Sequence, residues 1–454
     1  MKTIIKNGTI VDPSQDICGA GDLILKDGAV EGIDLTGSAS AADADQVIDA
    51  QGLIVSPGFI DIHMHEDELD PATDRAEKSM SHSALRMGVT TDIGGNCGLN
   101  TADPDHFLDV ADRDGAPVNI GMLAGHAWLR NRHGEKDRYK GVSEDDVKQM
   151  VRDCEKFLDS GCLGISAGLE YVPGCTLKEI EPLASLCRAG DKVLAGHVRA
   201  DMEDVYPAAE ELAQIGRDCG IRIQFSHIGS MGGFGQMPHL LEMIEGYRKE
   251  GIDMMADCYP YQAFCTHIGS TTYDPGFLER YDADYDSVLI ASGKYAGQRC
   301  TKEIFDEVRE KDPMAAAVGF FIKAEDVDLA LQSPLVMLGS DGIRDKGKGH
   351  PRASGAFARF ISDYIRTGKV SLSDGISKMT TMAAERLHLP KKGSFRSGCD
   401  GDVTIFNLSR VEDRATYNDS EIPPVGFEYV LIGGQIALAH DQIVNDGLGR
   451  SIRR

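Results

Sequence analysis

Six short segments of this 454-residue chain carry side chains suited to holding a metal ion: His63-Met64-His65, Asn96-Cys97-Gly98, Glu170, His197, His227 and Asp341. Imidazole nitrogens, a thiolate and carboxylate oxygens together favour a borderline-soft divalent cation, above all zinc. Such an ion supplies a water that ionises near neutral pH and polarises a carbonyl. Taken singly, each residue has a plainer explanation. A strand histidine is commonly structural, a buried cysteine behaves as a small apolar residue, and an aspartate before glycine suits a turn. Placement separates the two explanations, because every one of these residues lies at or near the end of an apolar run.

The runs are Gly58–His65, Val89–Cys97, Val118–His126, Cys162–Glu170, Val193–Arg199, Ile221–Ile228, Asp253–Tyr261 and Leu335–Asp341. Helical patterns separate them, among them Ser143–Asp159 and Val205–Cys219. Glu144, Asp145 and Asp146 crowd the start of the first, where the helix dipole favours acids. Buried strands alternating with helices predict a parallel sheet. Eight such units in roughly 330 residues predict an α/β fold of the (β/α)8 TIM-like barrel type, with its site at the C-terminal strand ends. His63 and His65 alternate on one strand, so both imidazoles face the barrel mouth.

Residues 262–334 exceed what one connecting helix needs and predict an inserted subdomain or lid. The two ends of the chain read differently. Lys2–Lys6, Leu23–Lys26, Gln46–Ile48, Asp402–Phe406 and Tyr429–Gln435 are strand-like, with turn signals at Asn7-Gly8 and Asp27-Gly28. Neither end closes a core alone. Residues 1–56 and 395–454 are therefore expected to meet in one small β-sandwich domain beside a barrel of residues 57–394.

Composition narrows the partners. Lys and Arg number 47 against 72 Asp and Glu, a net charge of −25. That surface repels phosphate backbones and argues against nucleic acid. No apolar run reaches about 18 residues, the length a membrane-spanning helix needs, and the N-terminus lacks the apolar stretch of a signal peptide. The 11 cysteines, an odd count with no CxxC pair, suit a reducing cytosol. A cytoplasmic protein acting on a small molecule is expected, and a homo-oligomer through the barrel helices is compatible with the pattern.

Several motifs carry a resemblance. Pro57-Gly58-Phe59-Ile60-Asp61-Ile62-His63-Met64-His65 resembles the first metal motif of the amidohydrolase superfamily. Gly95–Gly98, Gly168–Gly174, Tyr259-Pro260-Tyr261, Gly339–Gly342 with His350-Pro351-Arg352, and Ala383–Leu387 through Asp402 are similar to the N-acyl-D-amino-acid deacylase (D-aminoacylase) branch. The similarity runs through nearly the whole chain in order. It implies a distorted barrel and one zinc held firmly by Cys97, His197 and His227. A second, weaker metal position would use His63, His65 and Asp341. Glu170 stands where many relatives place a carboxylated lysine, and would bridge the metals or only order the site. One departure concerns His227-Ile228-Gly229: the branch usually has His-His-Lys there, and the lysine that helps bind substrate is missing.

The resemblance implies zinc-dependent hydrolysis of a non-peptide C–N bond, foremost deacylation of an N-acyl-D-amino acid. Asp341 is the expected catalytic residue, taking a proton from water and returning it to the leaving amine. Arg352 is the candidate for a substrate carboxylate. Tyr171, Tyr259, Tyr261 and His126 are the further candidates for substrate contact, with either Tyr259 or Tyr261 free to donate to an oxyanion. The alternative on the same barrel is a cyclic-amide hydrolase (hydantoinase- or dihydroorotase-like) or an aminohydrolase. A non-catalytic relative would be expected to have lost metal ligands, and this chain keeps the full candidate set.

Overall fold

Eight strands follow one another in parallel, each hydrogen-bonded to the next in chain order: Phe59–Asp61, Val89–Gly94, Asn119–Gly125, Gly164–Gly168, Val193–His197, Arg222–Phe225, Met254–Cys258 and Val336–Leu338. This computed structural model describes residues 1–345 and 347–454. Every residue of Val89–Gly94 and Asn119–Gly125 is buried, as strands covered on both faces must be. Ile60, Ile62, Ile93, Leu123, Leu163, Val193 and Met337 fill the barrel interior. The opposite faces meet the surrounding helices. Phe59, for example, stacks on Phe357 of helix Arg352–Phe360 with ring centroids 5.8 Å apart, and a fully buried phenylalanine contributes about 2–3 kcal/mol.

The first and eighth strands meet just past their ends. Met64 bridges Gly342, the Asp341 amide donates to the His63 carbonyl at 2.7 Å, and the His65 amide donates to the Gly342 carbonyl at 2.9 Å. Closure therefore ties the His63-Met64-His65 segment to Asp341 at the height where their side chains converge.

The helices start and stop where the chain's chemistry directs. Glu144–Asp159 begins after Ser143, whose hydroxyl accepts from the Asp146 amide at 3.2 Å. Val205–Cys219 ends at Gly220 in the left-handed region. The third strand passes directly into helix His126–Arg132.

Between the seventh and eighth strands lies a four-stranded antiparallel sheet, ordered Phe264–His267, Ala316–Gly319, Val288–Ile290, Gln298–Arg299. It has a small core of its own around Ala263, Leu289 and Val318. The chain ends combine in one nine-stranded sheet, where Val403–Phe406 pairs antiparallel with Ile54–Pro57. Its core includes Ile5, Leu23 and Val55 from the N-terminal segment and Val403, Ile405 and Leu431 from the C-terminal one. The Asp27-Gly28 turn has φ of 52° and 86°, the left-handed pair that a two-residue hairpin requires. The last residues run on to the barrel: Ile452 donates to the Ile120 carbonyl at 2.7 Å and Arg454 to Gly161 at 3.0 Å.

Candidate metal centre

The strand-end residues converge. His63, His65, Cys97 and Asp341 form one group whose ligand atoms lie within 4.8 Å of one another, and Cys97, His197 and His227 form a second. Cys97 belongs to both. Its sulfur is 3.4 Å from His63 Nε2 and 3.4 Å from His227 Nε2. Asp341 Oδ1 is 3.3 Å from His65 Nε2 and 3.4 Å from His63 Nε2. Glu170 Oε2 meets His197 Nε2 at 2.8 Å. All seven expected ligand residues thus gather at one end of the barrel.

Bringing them together requires unusual backbone. Cys97 (φ 53°), His227 (φ 35°) and Asp341 (φ 50°) all sit in the left-handed region, which costs a non-glycine residue about 1–2 kcal/mol. Surrounding contacts hold the Cys97 turn in this form. The Glu66 carboxylate accepts from the Gly95 amide at 2.7 Å and from the Thr101 amide at 2.9 Å, bracketing it. The Ser166 hydroxyl accepts from the Gly98 amide at 2.9 Å and donates to the Gly95 carbonyl. Gly95 must lack a side chain, because a Cβ there would lie 2.1 Å from the Leu123 carbonyl oxygen.

The electrostatics favour a cation. Burial alone would push the Cys97 thiol up, but the His227 and His63 imidazoles prevail and hold it well below the usual thiol range. Burial would likewise lower the imidazoles. His65 nonetheless rises to about 9 through Asp341 and Cys97, and His197 to about 10 through Cys97 and Glu170. His63 is also raised, chiefly by Asp257 and Cys97. Asp341 stays ionised: burial opposes this, and Arg352 with the nearby imidazoles outweighs it. A site that holds protons this firmly is built to stabilise positive charge, and a metal ion competes for the same lone pairs. Glu170 Oε1 and His197 Nδ1 are buried without a hydrogen-bond partner among the described residues. Thiolate, imidazole and carboxylate donors with such spare capacity fit zinc.

The substrate candidates fare unequally. Tyr171 packs on His197 with ring centroids 4.4 Å apart and lines the narrow cavity beside the ligands. Asp201, Met231, Phe264, Thr266 and Tyr281 also line that cavity. Arg352 is buried behind Asp341, with Nη2 at 2.8 Å from Oδ2, so the ion pair is internal. Its Nε and Nη1 have no partner among the described residues. Tyr259 lies under that guanidinium, 4.5 Å from ring to Cζ, and its buried hydroxyl is unpartnered among the same residues. The structure corrects two placements. The Tyr261 hydroxyl is committed to Asp413 at 2.8 Å. His126 Nε2 donates to the Glu179 carboxylate at 2.8 Å in a separate buried cluster with Arg130 and Cys175, and does not line the cavity.

Two supporting residues escaped the sequence reading. Asp257, inside the seventh strand, contacts both His63 and the His227 backbone. Ser230 meets His227 Nδ1 at 2.7 Å, leaving Nε2 for a ligand. The only foreshadowing in the sequence was the position of each near a strand end.

A profile described as "Amidohydrolase family" matches residues 299–438. An N-acyl-D-glutamate deacylase from Alcaligenes xylosoxydans xylosoxydans is 30% identical over 438 residues, covering 89% of this chain and 87% of that protein. The chain belongs to the N-acyl-D-amino-acid deacylase family of amidohydrolases. The crystal structure of N-acyl-D-glutamate deacylase from Bordetella bronchiseptica, complexed with zinc and a phosphonate mimic of the tetrahedral intermediate, is similar throughout. It is 26% identical with a TM-score of 0.88, covering 100% of this chain and 99% of that one. A D-aminoacylase structure describing a binuclear metal centre with one-metal activation matches at 25% identity and a TM-score of 0.88, covering 100% and 99%.

Gly229 is closely packed: a Cβ there would lie 2.8 Å from the Cys258 sulfur, so the neighbouring strand occupies the space a side chain would need.

Proposed function

We propose that this chain is a zinc-dependent deacylase that hydrolyses N-acyl-D-amino acids to a carboxylate and a free amino acid. The observation that carries this reading is Cys97, whose sulfur stands between the two imidazole sets. In this reading Cys97, His197 and His227 hold the firm ion, and His63, His65 and Asp341 offer a weaker second position. Glu170 completes the site through its unpartnered oxygen. The barrel of residues 57–394 is the catalytic unit, and the β domain of residues 1–56 plus 395–454 supports it. When bound, zinc supplies an acidified water and polarises the scissile carbonyl.

The chain's own groups do the rest. Asp341, kept ionised by Arg352, accepts a proton from water and returns it to the departing amine. In this reading Arg352 and Tyr259, which lie behind Asp341 and outside the cavity lining, keep an unpartnered Nε, Nη1 and hydroxyl suited to a carboxylate. Tyr171 and the apolar walls of the cavity, Met231 and Phe264, exclude water around the acyl group. The acidic surface supports a small-molecule partner over nucleic acid, and the cysteines, all free, support a reducing cytoplasm. Among the described residues no helix is long and apolar enough to cross a membrane.

The test is a panel of N-acetyl and N-formyl amino acids of both hands, with zinc present, scored by free amine. Release confined to the D series supports the reading. Ring opening of hydantoins or ammonia release from purines, without amine release, overturns it.

A further inference from the structure

We infer that Asp257 is the positioning residue that joins the two metal positions. The inference rests on the metal-centre reading above for the identity of the ligands. Asp257 lies in strand Met254–Cys258 and is 1% exposed. One of its oxygens, Oδ1, meets His63 Nδ1 at 3.0 Å and accepts from the His227 amide at 2.8 Å. The other, Oδ2, accepts from Gln224 Nε2 at 2.8 Å. Apart from the shared Cys97 sulfur, no other side chain among the described residues hydrogen-bonds to a ligand of each set through a single atom.

Each contact has a consequence. A carboxylate at Nδ1 keeps a hydrogen on that nitrogen, so the lone pair of the neutral ring stays on Nε2. Nε2 is the atom that faces Cys97 and Asp341. The second contact acts on backbone. His227 sits at φ 35°, a conformation histidine does not hold unaided, and the bond from its amide to Asp257 pins it. Gln224 then fixes the carboxylate's own rotation. Gly339 leaves room for the arrangement, because a Cβ there would lie 2.8 Å from His63 Cβ and 3.4 Å from Asp257 Oδ1. Four strands therefore meet at one buried carboxylate: the first through His63, the sixth through Gln224 and His227, the seventh through Asp257 itself, and the eighth through Gly339.

The experiment titrates metal-free protein with cobalt(II), following the thiolate charge-transfer band for the Cys97 position and total bound metal for the second equivalent. Melting temperature of the metal-free forms is recorded alongside. Asp257→Asn keeps the shape and both contacts of Oδ1 but removes the charge and turns the Gln224 contact into donor against donor, and is expected to weaken the second equivalent about 10-fold. Asp257→Leu removes the contacts too. It is expected to weaken both equivalents by about 10- to 100-fold, the usual effect of losing a residue that orients a metal ligand, and to shift the charge-transfer band. Gln224→Met, which leaves Asp257 in place, is expected to weaken the second equivalent by a smaller factor, and it carries the test if Asp257→Leu does not fold. Unchanged affinities in Asp257→Asn and Gln224→Met overturn the inference. Weakened metal binding with unchanged melting supports it over a merely structural role. Failure of the unmodified protein to bind metal would instead overturn the functional reading on which it rests.

Discussion

Replacing Asp341 by asparagine removes its charge from proton transfer, from the second metal position and from the neutralisation of Arg352. The backbone there, at φ 50°, is a conformation asparagine adopts readily, so the substitution adds no strain. The energetic cost comes from Arg352, which is 1% exposed and loses the carboxylate 2.8 Å away. Leaving one partner of a buried ion pair alone costs about 3–5 kcal/mol. Arg352 keeps the Cys265 carbonyl at 3.2 Å and the Tyr259 ring at 4.5 Å, which places the cost at the lower end. At about 2.1 cal/mol/K of unfolding entropy per residue, a loss of about 3 kcal/mol lowers the melting temperature of a chain this long by about 3 °C. The firm ion should remain, because Cys97, His197 and His227 are untouched. Turnover should fall by about 10²- to 10⁴-fold, the usual contribution of a general acid–base. Adding Arg352→Met removes the stranded charge and should restore melting without restoring turnover. Melting is followed by calorimetry, metal by elemental analysis and turnover by amine release. Normal turnover by metal-loaded Asp341→Asn, or recovery of turnover together with melting in the double variant, would refute the proton-transfer role.

Three other outcomes are expected. Cys97→Ala and Cys97→Gly should both lose zinc by elemental analysis, and the glycine form should melt higher because it relieves the strain at φ 53°; full zinc content in either would make the thiol structural. Metal-free protein should lose stability as pH rises from about 6.5 to 10, because His65 and His197 hold protons up to about 9 and about 10 when folded and release them near 6.5 when unfolded. The lowered Cys97 thiol acts in the opposite sense, but one thiolate is outnumbered by the raised imidazoles of His63, His65 and His197; a flat thermal profile across that window contradicts this. Gly229→Lys should cost about 1–3 kcal/mol by denaturant unfolding, since its Cβ presses on the Cys258 sulfur 2.8 Å away, and Cys258→Ala should recover part of that cost.

The barrel was legible because its strands are covered on both faces and so read as continuous apolar runs. The convergence of the strand-end side chains was legible because a polar residue ending such a run has few places to go but the mouth. A similar reading offered His126, which ends the apolar run Val118–His126, for substrate contact. Its imidazole is captured by Glu179, which Arg130 engages as well, and no local signal distinguishes that outcome. Tyr261 was open for a related reason, because its partner Asp413 arrives far along the chain. Asp257 was hidden inside an apolar run. Its role depends on the sixth strand folding beside the seventh and on Gly339 leaving space, neither of which is written near it in sequence. The left-handed turns at Cys97 and His227 were equally silent, since they are imposed by distant contacts such as those of Glu66 and Asp257.

The central claim is that one ion is shared by Cys97, His197 and His227. X-ray absorption at the zinc edge of protein loaded with a single equivalent tests it directly. The account predicts one sulfur at about 2.3 Å together with nitrogen scatterers at about 2.0–2.1 Å. A shell of nitrogen and oxygen alone would contradict it.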